Sequence, residues 1–174
     1  GAEPMEANAV AVQADGRIVI VSSPADGVGF AVQRILSDGS TDGSFAGVGY
    51  VVTAFDAFSF ATDVAVQSDG RIVVVGYGGS GKLAVARYLA DGSLDASFSD
   101  DGKTTLFVGG AYEWFAVGLQ PDGKIVVVGG DFYIARFMPD GSLDAGFGSG
   151  GYVQVPFTGY DEAYAAGMAM GGSG

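Results

Sequence analysis

The chain of 174 residues contains no cysteine and no histidine. Those two absences together exclude disulfide frameworks, thiolate nucleophiles, zinc sites built on Cys or His, and imidazole general bases. They leave an oxidising compartment open without requiring one. Basic residues are scarce, 8 Lys+Arg against 20 Asp+Glu, and the net charge of -12 would repel nucleic acid or an anionic membrane. No apolar run approaches the roughly 18 residues of a spanning helix, so no nucleic acid and no membrane insertion are expected. Proline is rare at 5 residues, whereas glycine reaches 31 in a chain that is 48% hydrophobic. That combination reads as one sizeable core with many tight turns.

What the chain has in abundance is repetition. Gln13-Ala14-Asp15-Gly16-Arg17-Ile18-Val19-Ile20-Val21 returns as Gln67-Ser68-Asp69-Gly70-Arg71-Ile72-Val73-Val74-Val75 and as Gln120-Pro121-Asp122-Gly123-Lys124-Ile125-Val126-Val127-Val128. A second block follows each copy: Arg34 to Ser40 with Phe45, Arg87 to Ser93 with Phe98, and Arg136 to Ser142 with Phe147. A fixed period of this length marks one supersecondary unit stacked or arranged radially. In the middle copy, 63–67, 71–75, 83–89 and 102–107 read as four short strands. Asp69-Gly70 and Asp91-Gly92 supply hairpin turns that tolerate positive φ, and Ile72-Val73-Val74-Val75 fits a strand buried on both faces. No segment carries a convincing helical period. The expected fold is therefore all-β, with three four-stranded antiparallel repeats forming β-propeller-like blades. A β-trefoil, which also has three four-stranded repeats, is the alternative.

The compound pattern Gln120-Pro121-Asp122-Gly123-Lys124-Ile125-Val126-Val127-Val128-Gly129, then Ala135-Arg136-Phe137, then Asp140-Gly141-Ser142-Leu143-Asp144 with Phe147-Gly148, resembles the delta-60 repeat. The likeness runs from residue 7 to about 155. The first copy departs from it, with Gln33 against Ala86 and Ala135, and Thr41 against Leu94 and Leu143. The resemblance implies a β-propeller repeat of unknown function, found mostly in large bacterial surface or secreted proteins. It supplies no catalytic residues.

One repeat domain is expected over 1–170, with repeats at about 7–60, 61–113 and 114–160. Residues 161–170 imitate the first strand of a fourth copy, and 171–174 read as a linker remnant. Gly1-Ala2-Glu3-Pro4 does not read as a secretion signal, and neither signal nor anchor is expected within these residues. Single-chain propellers close with four to eight blades, so three leave open edges. Asn8 to Val12 and Tyr164 to Met170 are apolar edge strands without Lys, Arg or Pro. Self-association by edge-strand pairing or ring completion is therefore expected, with the tail pairing in trans.

Gly76-Tyr77-Gly78-Gly79-Ser80-Gly81-Lys82 begins like a phosphate-binding loop, but Leu83 stands where Ser or Thr should follow, and no helix is foreseen. It is read as an inter-strand loop. Arg34, Arg87 and Arg136 each precede an aspartate by 8 residues: Asp42, Asp95 and Asp144. Structural ion pairs that fix blade register are the expectation. Tight turns holding two acids are ordinary turn chemistry. Asp91, Asp95, Asp100 and Asp101 form the one cluster that would suit Ca2+, at most weakly, and no other cofactor is expected. Aromatics beside acids in the inter-repeat loops suit either packing or sugar stacking, with Tyr112, Glu113 and Trp114 the ligand-binding candidates. No carboxylate pair is marked out for glycosidase chemistry, so no enzyme activity is expected. The leading expectation is a non-catalytic module at the cell surface or outside the cell, serving as scaffold, adhesive or self-assembling unit. The alternative is a carbohydrate-binding module.

Overall fold

The computed structural model describes residues 6–55, 58–109, 114–130 and 132–155. Each repeat folds into its own four-stranded antiparallel sheet, in which every strand pairs with its sequence neighbour. The first sheet holds β1 (Ala7–Val12), β2 (Ile18–Ser22), β3 (Phe30–Ile35) and β4 (Tyr50–Thr53). The second holds β5 (Phe60–Val66), β6 (Ile72–Tyr77), β7 (Lys82–Tyr88) and β8 (Lys103–Phe107). The third holds β9 (Phe115–Leu119), β10 (Ile125–Gly129), β11 (Tyr133–Phe137) and β12 (Tyr152–Gln154). These sheets are blades. A trefoil barrel would pair strands from different repeats, whereas here every four-stranded ladder stays within one repeat, so that alternative is set aside.

The strands form where β-branched residues run between turns that need positive φ. Gly16, Gly70 and Gly123 close the first hairpin of each blade at φ 83, 85 and 82. Such a conformation costs glycine nothing. Pleating then divides each strand between two faces. In the middle blade Ile72 and Val74 join Val19, Val21, Phe30 and Val32 of the first blade in one core. Val73 and Val75, on the opposite face, join Val117, Ile125, Val127 and Phe137 of the third blade in another. The blades thus stack face to face in chain order, with the middle one buried on both sides.

The first strands of successive blades lie side by side, β1 beside β5 and β5 beside β9. They are clasped directly. Asn8 Nδ2 donates to the Ala61 carbonyl at 2.6 Å, Thr62 Oγ1 donates to the Phe115 carbonyl at 2.6 Å, and the Val117 amide donates to Asp63 Oδ2 at 2.8 Å. The loop at 78–81 joins β6 to β7, two strands, so no helix follows it. The tail at 161–170, with its edge-pairing expectation, lies outside the described residues.

Candidate functional site

Each blade repeats one charged assembly. Arg34 Nε donates to Asp42 Oδ2 at 2.7 Å, Arg87 Nε to Asp95 Oδ2 at 2.8 Å and Arg136 Nε to Asp144 Oδ2 at 2.8 Å. The sequence spacing of 8 becomes a contact because the chain turns back after the third strand. The amides of Asp42, Asp95 and Asp144 donate to the carbonyls of Arg34, Arg87 and Arg136. The first two pairs are buried and the third is partly open. Each guanidinium lies over an aromatic ring, with Cζ 4.7, 4.8 and 4.5 Å from the centroids of Phe45, Phe98 and Phe147. A buried arginine needs this completeness, since an unsatisfied buried charge is costly.

The arginine also reaches the next blade. Arg34 Nη1 donates to the Ala90 carbonyl at 2.5 Å, and Arg87 Nη1 donates to the Pro139 carbonyl at 2.5 Å. Beside it, the Ala46 amide donates to the Asp91 carbonyl at 2.6 Å and the Ser99 amide to the Asp140 carbonyl at 2.8 Å. Ala46 and Ser99 adopt φ of 51 and 53 to do so, a conformation side chains disfavour. Phe45 packs over Gly92, and Phe98 over Gly141, so closely that an added Cβ would meet the ring at 3.1 and 3.0 Å respectively. The assembly is a clamp, in which Arg and Phe of one blade seize the Asp-Gly turn of the next.

Sequence spacing missed a fourth member. Arg71 Nε donates to Asp95 Oδ2 at 2.9 Å while its Nη1 pairs with Asp69. Arg17 lies 3.2 Å from Asp42 and Lys124 3.6 Å from Asp144, and each also pairs with the acid two residues before it. The three-fold recurrence of a cation at 17, 71 and 124 was the available signal. Three equivalent glutamines also escaped notice. The Oε1 atoms of Gln13, Gln67 and Gln120 are buried without a hydrogen-bond partner, and the residues line clefts of about 300 and 280 Å³ between successive first hairpins.

The turn acids serve their own loops. Asp38, Asp91 and Asp140 each accept from the hydroxyl and amide of the serine two residues on, which holds their carboxyls below the usual range, the hydroxyl bond being the main cause. Asp42 is lowered chiefly by the Ser44 hydroxyl. For Asp95, burial pulls upward, but the bonds from Ser97 and the Arg87 charge outweigh it and the net shift is downward. Asp91, Asp95, Asp100 and Asp101 therefore do not converge: Asp95 is held by two arginines, Asp91 by Ser93, and Asp101 by the Lys103 amide. Among the described residues no three acids gather as a metal site.

Tyr112 and Glu113 lie outside the described residues. Trp114 is 46% exposed and belongs to an aromatic cluster where one blade hands the chain to the next. Phe60 is at its centre, 5.6 Å from Phe58, 5.6 Å from Tyr77 and 6.1 Å from Trp114, centroid to centroid. Phe58 is exposed as well. The cluster is partly core and partly an open apolar surface.

The family described as "Domain of unknown function (DUF5122) beta-propeller" matches residues 13–45, 67–98 and 120–147, more than half of the chain and the same portion of each repeat. No curated protein matches. Among solved structures, a protein of unknown function from Bacteroides caccae superposes with a TM-score of 0.52 at 15% identity. The match covers 80% of this chain and 44% of that one, so the chain spans under half of its length. At that identity the likeness concerns the fold alone.

Proposed function

The chain belongs to the DUF5122 beta-propeller family, and on that premise we propose that it is a non-catalytic structural module, displayed at the cell surface or outside the cell as a scaffold, adhesive or self-assembling unit. The observation that supports this most is the use of charge. In every repeat, Arg, Asp and the second cation engage one another in the same way, and in the first two repeats the arginine also reaches the next blade. Chemistry would be sought where repeats differ, whereas these groups recur and hold one another. The finer identity as a delta-60 repeat belongs to the same proposal, resting on the repeated Asp-Gly-Arg/Lys-Ile-Val and Arg-to-Asp-Gly-Ser blocks. Protease shaving of intact cells that make the protein tests the reading. Release of the chain supports it, and complete protection until lysis would overturn the external location.

The exposed aromatic cluster favours one second reading. Phe58 and Trp114 flank Phe60 on an open surface, and aromatic faces of this kind stack on sugar rings. A glycan array probed with wild type and Trp114→Ala separates the two. Specific binding lost on substitution favours a carbohydrate-binding module, and an array without signal leaves the cluster as inter-blade packing.

A further inference from the structure

The clamp is directional, and the chain contains one half of it at each end. Blade one docks Phe45 on Gly92 of blade two, and blade two docks Phe98 on Gly141 of blade three. Blade three carries the next knob, Phe147 beneath Arg136. Blade one carries the equivalent turn, Leu36-Ser37-Asp38-Gly39, and a Cβ built on Gly39 meets nothing within 4 Å. The sheets behind these parts are open in the same sense. Val10 is 61% exposed, whereas its counterpart Val64 is 6% exposed against the preceding blade. Val12 is exposed where Val66 is half-buried, and Ile18 and Ile20 are half-buried where Ile72 and Val74 are fully covered. On blade three, Val126, Val128, Ile134 and Phe147 are half-buried where Val73, Val75, Val85 and Phe98 are fully buried.

We propose that the outer face of blade three binds the outer face of blade one of a second copy, continuing the interface already built twice within the chain. Two such contacts, related by a two-fold axis, close a ring of six blades, within the four to eight typical of propellers. In this ring Arg136 donates to the Ser37 carbonyl of the other copy, Phe147 covers its Gly39, and the Gly148 amide meets its Asp38 carbonyl. Gly148 already has φ 57, matching Ala46 and Ser99 at 51 and 53. The occupant is a second copy because the two faces are complementary to each other by repetition and sit on the same molecule. The inference deepens the self-assembling part of the proposed function and rests on that reading. Of edge-strand pairing and ring completion, it takes ring completion, by face-to-face docking.

Sedimentation equilibrium of the whole chain tests it, with one double variant on the outer face of blade one and another on that of blade three. Val10→Lys with Val12→Lys spoils the face of blade one, and Arg136→Ala with Phe147→Ala spoils that of blade three. The wild type should have twice the 17.5 kDa mass of one chain, and each variant alone should be a monomer with an intact far-UV spectrum. Mixing the two leaves one intact contact, so a heterodimer should reappear, weakened about 100-fold or more by loss of the linked second contact. A wild type that stays monomeric at high concentration overturns the ring. So does a dimer indifferent to both variants, which would point to edge pairing. If shaving of intact cells still releases a monomeric protein, the ring alone fails and the scaffold reading stands.

Discussion

At the level of single residues, the arginine of the clamp does several jobs at once, and its removal should be felt accordingly. Arg87 is buried, pairs with Asp95, covers Phe98 and bonds to blade three. Breaking a buried pair costs about 3 to 5 kcal/mol. Because Arg71 remains 2.9 Å from Asp95, the lower end, about 3 kcal/mol, is expected for Arg87→Ala. Arg17→Ala removes an exposed partner and should cost no more than about 1 kcal/mol. Urea unfolding of both variants checks the contrast, and equal midpoints would remove the clamp from the account. Acid should act through the same groups. Asp42, Asp91 and Asp95 all titrate below their ordinary value in the folded chain. Their stabilisation is therefore complete above the unfolded carboxylate range near pH 4. It is lost as pH falls through the lowered folded values, so a melt series should stay level above about pH 5 and drop below about pH 4. The pairs eight residues apart were legible in the sequence because a single turn separates their members. Arg71 was not, because its partner Asp95 is 24 residues away and meets it only once the hairpins have packed.

At the level of elements, the strands were readable from β-branched runs between Asp-Gly turns, and the middle blade shows why. The expected strands 63–67, 71–75, 83–89 and 102–107 appear as β5 to β8 with ends moved by up to three residues. The run Ile72 to Val75 is covered on both faces only because a blade lies on either side. The similar run Ile18 to Val21 keeps one face half-open. Composition of a strand therefore reveals its capacity for two-sided burial, while its neighbours decide whether that is used. Close approach between elements leaves its own signature at Gly76, where an added Cβ would run into the Phe60 carbonyl of the adjacent strand. Backbone cannot give way as a flexible side chain can, so Gly76→Ala should destabilise by about 1 to 3 kcal/mol. Gly70→Ala, with φ +85 but open space around it, should lose stability through the strained turn alone. A thermal melt of each variant distinguishes strain from clash, the clash being the larger if the strand packing is as described.

At the level of the whole molecule, three repeats are evident in the sequence itself, and so is the difficulty of closing three blades. What the sequence concealed was which surface is left over. Apolar β1 read as an edge strand led to edge-strand pairing or ring completion; β1 is an edge strand of its sheet, and it also packs beside β5 and presents Val10 and Val12, but not Ala9 and Ala11, on an open face. The direction of side chains across a pleat, set by register with β2, makes that difference, and one position of slip would reverse it. The aromatic loops were likewise found by composition, but their division into buried Phe115 and exposed Trp114 depends on how blades two and three meet. The clamp, repeated at each junction, makes the stack behave as a chain of nearest-neighbour interfaces. Cutting one junction should weaken coupling between the blades on either side and leave the other junction intact.

The sole tryptophan turns that expectation into a direct measurement. Trp114 stands at the start of the third blade, so its fluorescence follows that blade while far-UV circular dichroism follows all three. In the wild type both signals should give one coincident unfolding transition. In Arg87→Ala, which removes the clamp between the second and third blades, the fluorescence transition should fall below the dichroism transition. Curves that remain coincident after the substitution, or that are already separated in the wild type, would contradict the claim that the repeated arginine clamp holds the blades together.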